Sequence, residues 1–539
     1  MSIPPPTQDN VGSKGHWKSD AISGFLVFLI ALPLCLGISM ASGFPPIAGI
    51  IAAIVGGVVI TFMSGSQLTI KGPAAGLIVI ALGAMEELGK GDALAGYRLV
   101  LAVIVVAGVV QIGFGLARAG VLADLFPSSA VHGMLAAIGI IIASKQIHTL
   151  LGVKPEAKEP LGLIAEIPRS VADANPEIAI IGLLSLAVLF GLPLIKNRIV
   201  RKVPAPMVVI LLAIPLGIYF DLDHEHSYLF LNGHEYVAGP RFLVTLPGDL
   251  AKAFTLPDFS QVLDGTSIKY VVMFALVGSI ESLLSTKAID MLDPEKRKSN
   301  LNRDLLAVGV GNTISGLIGG LPMISEIVRS SANINNGGRT RWANFFHGVF
   351  LLVFVAFAPA LIHRIPLAAL SAMLIYTGYR LASPREFQKT YSIGKEQLLI
   401  FVTTIGVTLA TDLLLGIAAG ILMKAVIHIV NGVPLRSFFA PALSIVEGDD
   451  TVVVRVTPAA VFTNVIKLRR ILEQVGSAQK KIVLDLRQAR LVDHTVMERL
   501  HEIQGELERA GRVLSVEGLE GHTGLSSHPL AARKLDAAS

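Results

Sequence analysis

Leu68-Thr69-Ile70-Lys71-Gly72-Pro73-Ala74-Ala75-Gly76 and Gly319-Gly320-Leu321-Pro322-Met323-Ile324-Ser325-Glu326-Ile327-Val328-Arg329-Ser330 break two apolar segments where a membrane helix should run on. One break lies early in each half of the apolar region. Two interrupted segments at corresponding positions of a membrane protein point to the site of a transported substrate. Pro lacks an N–H and fits the first turn of a helix, so Pro73 and Pro322 read as the starts of two half-helices. Irregular backbone at membrane depth is tolerated only where protein buries it or where it lines a cavity. Arg329, just inside the second break, points to an anion as the substrate.

Working outward, the chain of 539 residues is 52% hydrophobic and 16% charged, too apolar for a soluble protein of this length. Runs of roughly 20 residues almost free of charge recur between Ala21 and Asn431, each long enough to span a bilayer. The spacing predicts helices over 21–40, 45–63, 73–88, 97–116, 128–150, 177–195, 204–220, 267–290, 301–318, 323–335, 343–363, 366–380, 396–411 and 413–431. The organisation is a polar N-terminal segment 1–20, a transmembrane domain 21–432 and a small polar domain 440–539. In that last part Thr451–Val456, Lys481–Leu486 and Val513–Val516 read as strands, and Asn464–Val475 and Thr495–Ala510 as helices, an α/β pattern.

The charges orient the chain. Lys196, Arg198, Arg201 and Lys202 form one basic loop, and Lys296, Arg297, Lys298 and Arg303 another. Arg339 with Arg341, and Arg380, Arg385, Lys389 and Lys395, form two more. With a cytoplasmic N-terminus and fourteen crossings, all four groups fall inside, as the positive-inside rule requires. The expected location is therefore the inner (plasma) membrane, with both termini cytoplasmic and the polar loops 152–176 and 221–266 outside. No signal-peptide pattern opens the chain, so insertion is expected to use the first membrane helix. The single Cys35 excludes a disulfide framework, and no basic-aromatic patterning points to nucleic acid.

Glu281 is a lone acid within Phe274-Ala275-Leu276-Val277-Gly278-Ser279-Ile280-Glu281-Ser282-Leu283-Leu284-Ser285. An acid at mid-membrane costs about 2.5–3.5 kcal/mol on insertion scales, so it faces a cavity or a partner. Ser285, one turn later, shares its helix face. Together they offer oxygen ligands for Na+ as a coupling ion, or a protonatable site; the competing reading is a structural ion pair between Glu281 and Arg329. An Arg about 4 Å from an anion contributes roughly 4 kcal/mol at an effective dielectric near 20. A helix N-terminus adds about 0.3–2 kcal/mol, and the sum corresponds to roughly millimolar binding, which suits a carrier that must release its cargo. Glu326 is spaced to pair with Arg329 on one helix face, which would weaken the anion site unless Glu326 is protonated or turned away. Lys71 and Lys145 read as interfacial. His132, His148, His347 and His363 lack metal-ligand spacing, and Asp412 reads as an N-cap.

With these residues in place, the chain resembles the sulfate permease (SulP) family of anion transporters, which includes the cyanobacterial bicarbonate transporters and animal prestin. The resemblance runs over nearly the whole chain. It rests on Ala31-Leu32-Pro33, Ile70-Lys71-Gly72-Pro73-Ala74, Gly278-Ser279-Ile280-Glu281-Ser282, residues 312–322, residues 329–340 and Thr411-Asp412-Leu413-Leu414. It implies a mostly α membrane protein with fourteen transmembrane segments in two inverted seven-segment repeats. It further implies a core domain moving against a gate domain, a C-terminal STAS-like domain and a homodimer. The implied anion site lies between the two half-helices and beside the first helix, lined by Leu34, Ile38, Ala74, Val328, Arg329 and Ser330. Glu281 and Ser285 match the residues that serve Na+ or protons. Ser325-Glu326 stand where many relatives have small residues, which adds Glu326 to the coupling groups. Some soluble relatives of the tail carry a phosphorylated Ser after the Asp that ends a strand; here His494 and Thr495 follow Asp493, so that phospho-switch is not supported.

The expectation is a secondary active transporter of a small inorganic anion, sulfate or bicarbonate, working by alternating access and coupled to H+ or Na+. No cofactor beyond that ion and no enzymatic activity are expected. The alternatives are a dicarboxylate or nucleobase carrier on the same architecture, an anion channel, and a membrane-embedded regulator whose tail is a binding module. A membrane enzyme would need a nucleophile–base pair or metal motif, and none is legible.

Overall fold

The computed structural model describes residues 16–536 apart from 125–126, 158, 198–202, 231–233, 246–253, 440–441, 449–450, 475–480 and 510. Most of the N-terminal segment, and Arg198, Arg201 and Lys202, fall outside the described residues. The chain divides into one unit of Met1–Gly120 with Ile138–Arg380 and another of Val121–Ala137 with Leu381–Ser539.

The first unit is a bundle of apolar helices. Each expected span within it holds a helix, beginning with Trp17–Ala41, which carries Pro33 inside it. Among the described residues six helices of the chain are long and apolar enough to cross a membrane. Helices Ala93–Leu116 and Leu301–Leu317 cross closely through glycine. A Cβ on Gly108 would lie 2.8 Å from the Gly309 carbonyl oxygen, and one on Gly309 would lie 2.6 Å from the Ile112 nitrogen. In lipid the hydrophobic effect does not drive helices together, and small residues that let backbones meet supply the packing instead.

The two breaks fold differently from the expectation. Neither Pro73 nor Pro322 starts a helix. Ile70–Pro73 and Met323–Glu326 are extended and pair as a two-stranded antiparallel sheet, with Ile70 opposite Glu326 and Pro73 opposite Met323. The first half-helix then runs through Ala75–Leu77 and Ile78–Gly89, and the second is Ile327–Asn335, four residues later than the pattern predicts. All eight strand residues are buried. Backbone N–H and C=O groups at that depth need partners, and pairing the two breaks satisfies both at once.

Two features of the polar loops were not legible: an amphipathic helix, Pro160–Ala172, and a hairpin of His226–Leu229 with Glu235–Ala238. In the second unit Lys395–Ala410 and Leu413–Val430 meet at Asp412, whose carboxylate accepts the Leu415 N–H at 2.9 Å as the expected cap. The C-terminal region is α/β. Its four-stranded sheet runs in the order Ala442–Glu447, Thr451–Thr457, Lys481–Asp485, Val513–Glu517, antiparallel in the first pair and parallel in the others. Helices Val465–Gln474 and His494–Arg509 cover it, with Val454, Leu472, Leu484 and Leu500 in one apolar core.

Candidate functional site

The paired breaks are held by side chains from four helices. The Met323 N–H donates to Asn312 Oδ1 at 2.6 Å, and Asn312 is braced by Gln111 at 2.7 Å. The Lys71 N–H donates to Asn344 Oδ1 at 3.1 Å, and the Ser325 N–H to Ser282 Oγ at 3.1 Å. The Ile70 N–H donates to Ser330 Oγ at 2.8 Å, while that hydroxyl donates to the Glu326 carbonyl. Ser330, expected to face the anion, is thus spent on the backbone of the two breaks. Asn333 closes the far end, donating to the Leu68 carbonyl at 3.0 Å and accepting from Ser23 at 2.7 Å.

Behind the sheet lies a charge that the sequence misplaced. Lys71 is not interfacial; it is fully buried. Its Nζ lies 2.7 and 2.8 Å from the two carboxylate oxygens of Asp304 and also donates to Thr69 at 3.1 Å and to Ser325. Asp304 accepts further hydrogen bonds from Ser64, Ser325 and Thr286 at 2.8, 2.9 and 3.0 Å. Every oxygen of this buried carboxylate is satisfied, as a buried pair needs if it is to hold.

In front of the sheet the situation reverses. Arg329 is 1% exposed, yet Nε, Nη1 and Nη2 all lack a hydrogen-bond partner. Among the described residues Arg329 forms no salt bridge with Glu281, the competing reading, or with Glu326, although Glu326 lies within Coulombic range of it: Glu326 Oε1 and Glu281 Oε2 are likewise buried and without a hydrogen bond. Instead the Gly76 N–H faces the Glu281 carboxylate and the Ala75 N–H faces that of Glu326. The N-terminus of the first half-helix is therefore flanked by two acids. Two glycines permit this arrangement. A Cβ on Gly72 would overlap Arg329 Nη1, and one on Gly76 would overlap both carboxylate oxygens of Glu281. Sequence reasoning took Gly72 as a helix breaker and attached no contact to Gly76; the structure shows each making room for a charged group.

The remaining expected residues fall around this point. Ala74 is buried and its N–H donates to the Pro322 carbonyl at 3.2 Å. Helix Trp17–Ala41 packs against both half-helices and brings the Cys35 thiol against Arg329 and within electrostatic reach of Glu326. On that helix Ile38 is buried, whereas Leu34 packs against the apolar cluster that includes Ala213 and Met373. Val328 is half-buried, and Ser285 is buried one turn beyond Glu281. His347, which spacing left without a role, is fully buried and within electrostatic reach of Arg329. No group of three or more His, Cys, Asp or Glu side chains could hold a metal ion among the described residues.

Comparison with known proteins fits this geometry. A profile of the Sulfate permease family matches residues 17–404. The chain belongs to the sulfate permease family. It is 26% identical over 519 residues to the "Putative sulfate transporter YvdB" of Bacillus subtilis, covering 94% of this chain and 92% of that protein. It is 25% identical over 447 residues to the "Bicarbonate transporter BicA" of Picosynechococcus, covering 82% and 75%. Among solved structures, the transmembrane domain of a cyanobacterium bicarbonate transporter BicA matches with a TM-score of 0.62 at 24% identity, over 75% of this chain and 97% of that one. The murine Solute Carrier 26 family member A9 anion transporter, in the inward-facing state, matches with a TM-score of 0.64 at 14% identity, over 96% and 86%. At those identities the two structures establish the shared fold. This sulfate permease family member shares the fold of those membrane transporters, and its own side chains decide the chemistry at Arg329.

Proposed function

We propose that the chain carries a small inorganic oxyanion, sulfate or bicarbonate, by secondary active transport, with Arg329 as its principal ligand. The observation that carries this reading is the buried Arg329 guanidinium with three unpaired nitrogens, set where two half-helices begin. A buried guanidinium with only a weak thiol contact at Cys35 and an unbonded carboxylate in range at Glu326 is poorly satisfied, and a bound oxyanion would supply both charge and acceptors. The named relatives, a putative sulfate transporter and a bicarbonate transporter, support that substrate class. Ile38, Ala74 and Val328 would line the anion, with Leu34 further along the same helix.

Coupling runs through protons at Glu281 and Glu326 in this reading. Two carboxylates over one helix N-terminus repel each other and an incoming anion alike; a proton shared between them relieves both. Na+ held by Glu281 and Ser285 is the competing outcome. The wider frame we propose is fourteen crossings in two inverted repeats, a homodimer in the plasma membrane with cytoplasmic termini, alternating access, and a STAS-like tail. The antiparallel pairing of the two breaks supports the inverted arrangement.

Uptake of labelled sulfate and bicarbonate into proteoliposomes tests the site. Arg329→Ala is expected to abolish saturable uptake of the substrate anion; unchanged uptake would refute the assignment. For coupling, Glu281→Gln is expected to lose the dependence on a pH gradient. Full retention of that dependence, or a dependence on Na+ alone in the parent protein, rules out the proton reading.

A further inference from the structure

We propose that His347 is a second ligand of the transported anion, donating a ring N–H to the oxyanion that Arg329 holds. The inference rests on the reading of Arg329 as the anion ligand and adds a neutral donor to it.

Placement is the first argument. His347 lies on the helix Trp342–Phe357, one turn after Asn344. Residues three apart share a helix face. Asn344 sits directly against the first strand: its Oδ1 accepts the Lys71 N–H at 3.1 Å, and its Nδ2 donates to the Gly56 carbonyl at 2.9 Å and to Thr61 Oγ1 at 2.7 Å. The next strand residue, Gly72, is the one against which Arg329 Nη1 packs. Asn344 thus ties this helix to the strand that seats the guanidinium, and His347, one turn on and with its backbone nitrogen packed at Gly24 of the first helix, interacts electrostatically with Arg329.

Satisfaction is the second argument. His347 is fully buried and neither Nδ1 nor Nε2 has a hydrogen-bond partner. The other deeply buried histidine among the described residues of this unit shows what a structural imidazole does here. His148 places Nδ1 2.6 Å from Ser170 Oγ and Nε2 3.1 Å from the Leu163 carbonyl, using both ring nitrogens. Buried polar atoms are nearly always paired, so an orphaned imidazole within electrostatic range of a poorly satisfied guanidinium calls for a shared partner. That partner must accept hydrogen bonds from both and carry negative charge. A small oxyanion does so, presenting some oxygens to the planar guanidinium fork and another to the ring N–H. A neutral donor adds direction without a second fixed positive charge, which lets the site bind and release.

The test is concentration-dependent anion uptake in proteoliposomes with Arg329 intact. His347→Phe keeps the ring and removes the donor; His347→Gln keeps a donor. Phe is expected to raise KM about tenfold, the worth of one hydrogen bond to a charged group, with maximal rate little changed, and Gln to recover most of the affinity. A wild-type KM in His347→Phe, or Gln as impaired as Phe, overturns the proposal. If the Phe variant does not fold, His347→Ala is read instead by the rise in melting temperature that sulfate or bicarbonate produces; full retention of that rise overturns it. Loss of transport in Arg329→Ala beside normal behaviour of the His347 variants would remove only this inference, whereas normal transport in Arg329→Ala would remove the site itself.

Discussion

Replacing Asp304 by Asn breaks the buried pair with Lys71, and the structure fixes how severe that should be. Both side chains are essentially unexposed, and Lys71 Nζ lies 2.7 Å from Asp304 Oδ1. Removing one partner of such a pair leaves an uncompensated buried charge and costs about 3–5 kcal/mol. The amide also replaces one acceptor oxygen by a donor that then faces Ser64 or Ser325 and Thr286. The double variant Lys71→Met/Asp304→Asn removes both charges and keeps one acceptor, so it should recover at least about half of the loss. The assay is unfolding of detergent-purified protein followed by tryptophan fluorescence. The chain's two tryptophans, Trp17 and Trp342, lie 4.8 Å apart between ring centroids and separate on unfolding. A loss below about 1 kcal/mol in Asp304→Asn, the level of an exposed pair, would refute the reasoning. So would a double variant as unstable as the sum of the single ones.

Two further outcomes follow from other contacts. Gly76→Ala is helical and conformationally tolerable, but its Cβ takes the place of the Glu281 carboxylate. Uptake should therefore lose its response to a pH gradient while the melting temperature moves little, and an intact pH response would contradict the placement of Glu281. In the second unit, Lys424 Nζ lies 3.3 Å from Asp493 Oδ2 and donates to Thr495 Oγ1 at 2.6 Å. Lys424→Met should cost about 3–5 kcal/mol and expose the tail to limited proteolysis; an unchanged digestion pattern would count against it. Burial works to raise the pKa of Asp493, but Lys424, His428 and the N–H groups of Val496 and Phe462 together hold it below its ordinary value. A depressed carboxylate contributes stability above its unfolded pKa and loses it only as pH falls through the folded one. The tail's resistance to protease should therefore be flat from about pH 5 to 8 and fall only below about pH 3.9.

What could be read from sequence depended on how local the cause was. Gly72-Pro73 and Pro322 marked the breaks because Gly and Pro act on their own backbone. Their extended pairing was hidden, since a four-residue strand such as Ile70–Pro73 needs a partner that lies more than two hundred residues away. Glu281 stood out because an acid in an apolar helix is conspicuous, and Arg329 because it followed a break. Lys71 looked interfacial for want of any sign of Asp304, which in sequence is an unremarkable acid in the first turn of its helix. His347 was invisible as a ligand because only the structure shows both ring nitrogens unpaired. The tail's alternation of β-branched strands and amphipathic helices was legible, but its edge strand Ala442–Glu447 was not, since its apolar residues Ile445 and Val446 are exposed and follow no buried alternation.

The buried polar groups around the breaks fall into two populations, and the contrast argues for a proton-linked cycle. Behind the sheet, Lys71, Asp304, Asn312, Asn333 and Asn344 satisfy one another and the backbone, which makes a rigid frame. In front of it, Arg329, His347, Glu281 and Glu326 all retain unpaired buried atoms. With both acids ionised, one arginine and two carboxylates sum to a single negative charge, which repels an anion. One proton brings the set to neutrality and two make it positive. A bound monoanion such as bicarbonate then restores neutrality in the doubly protonated state. Sulfate would leave a residual negative charge unless a third proton entered with it. In a low-dielectric site an uncompensated charge is the most costly outcome, so the proton count should follow the charge of the cargo. Proton influx measured per anion would therefore be higher for sulfate than for bicarbonate, and equal ratios would break the link between these side chains and coupling.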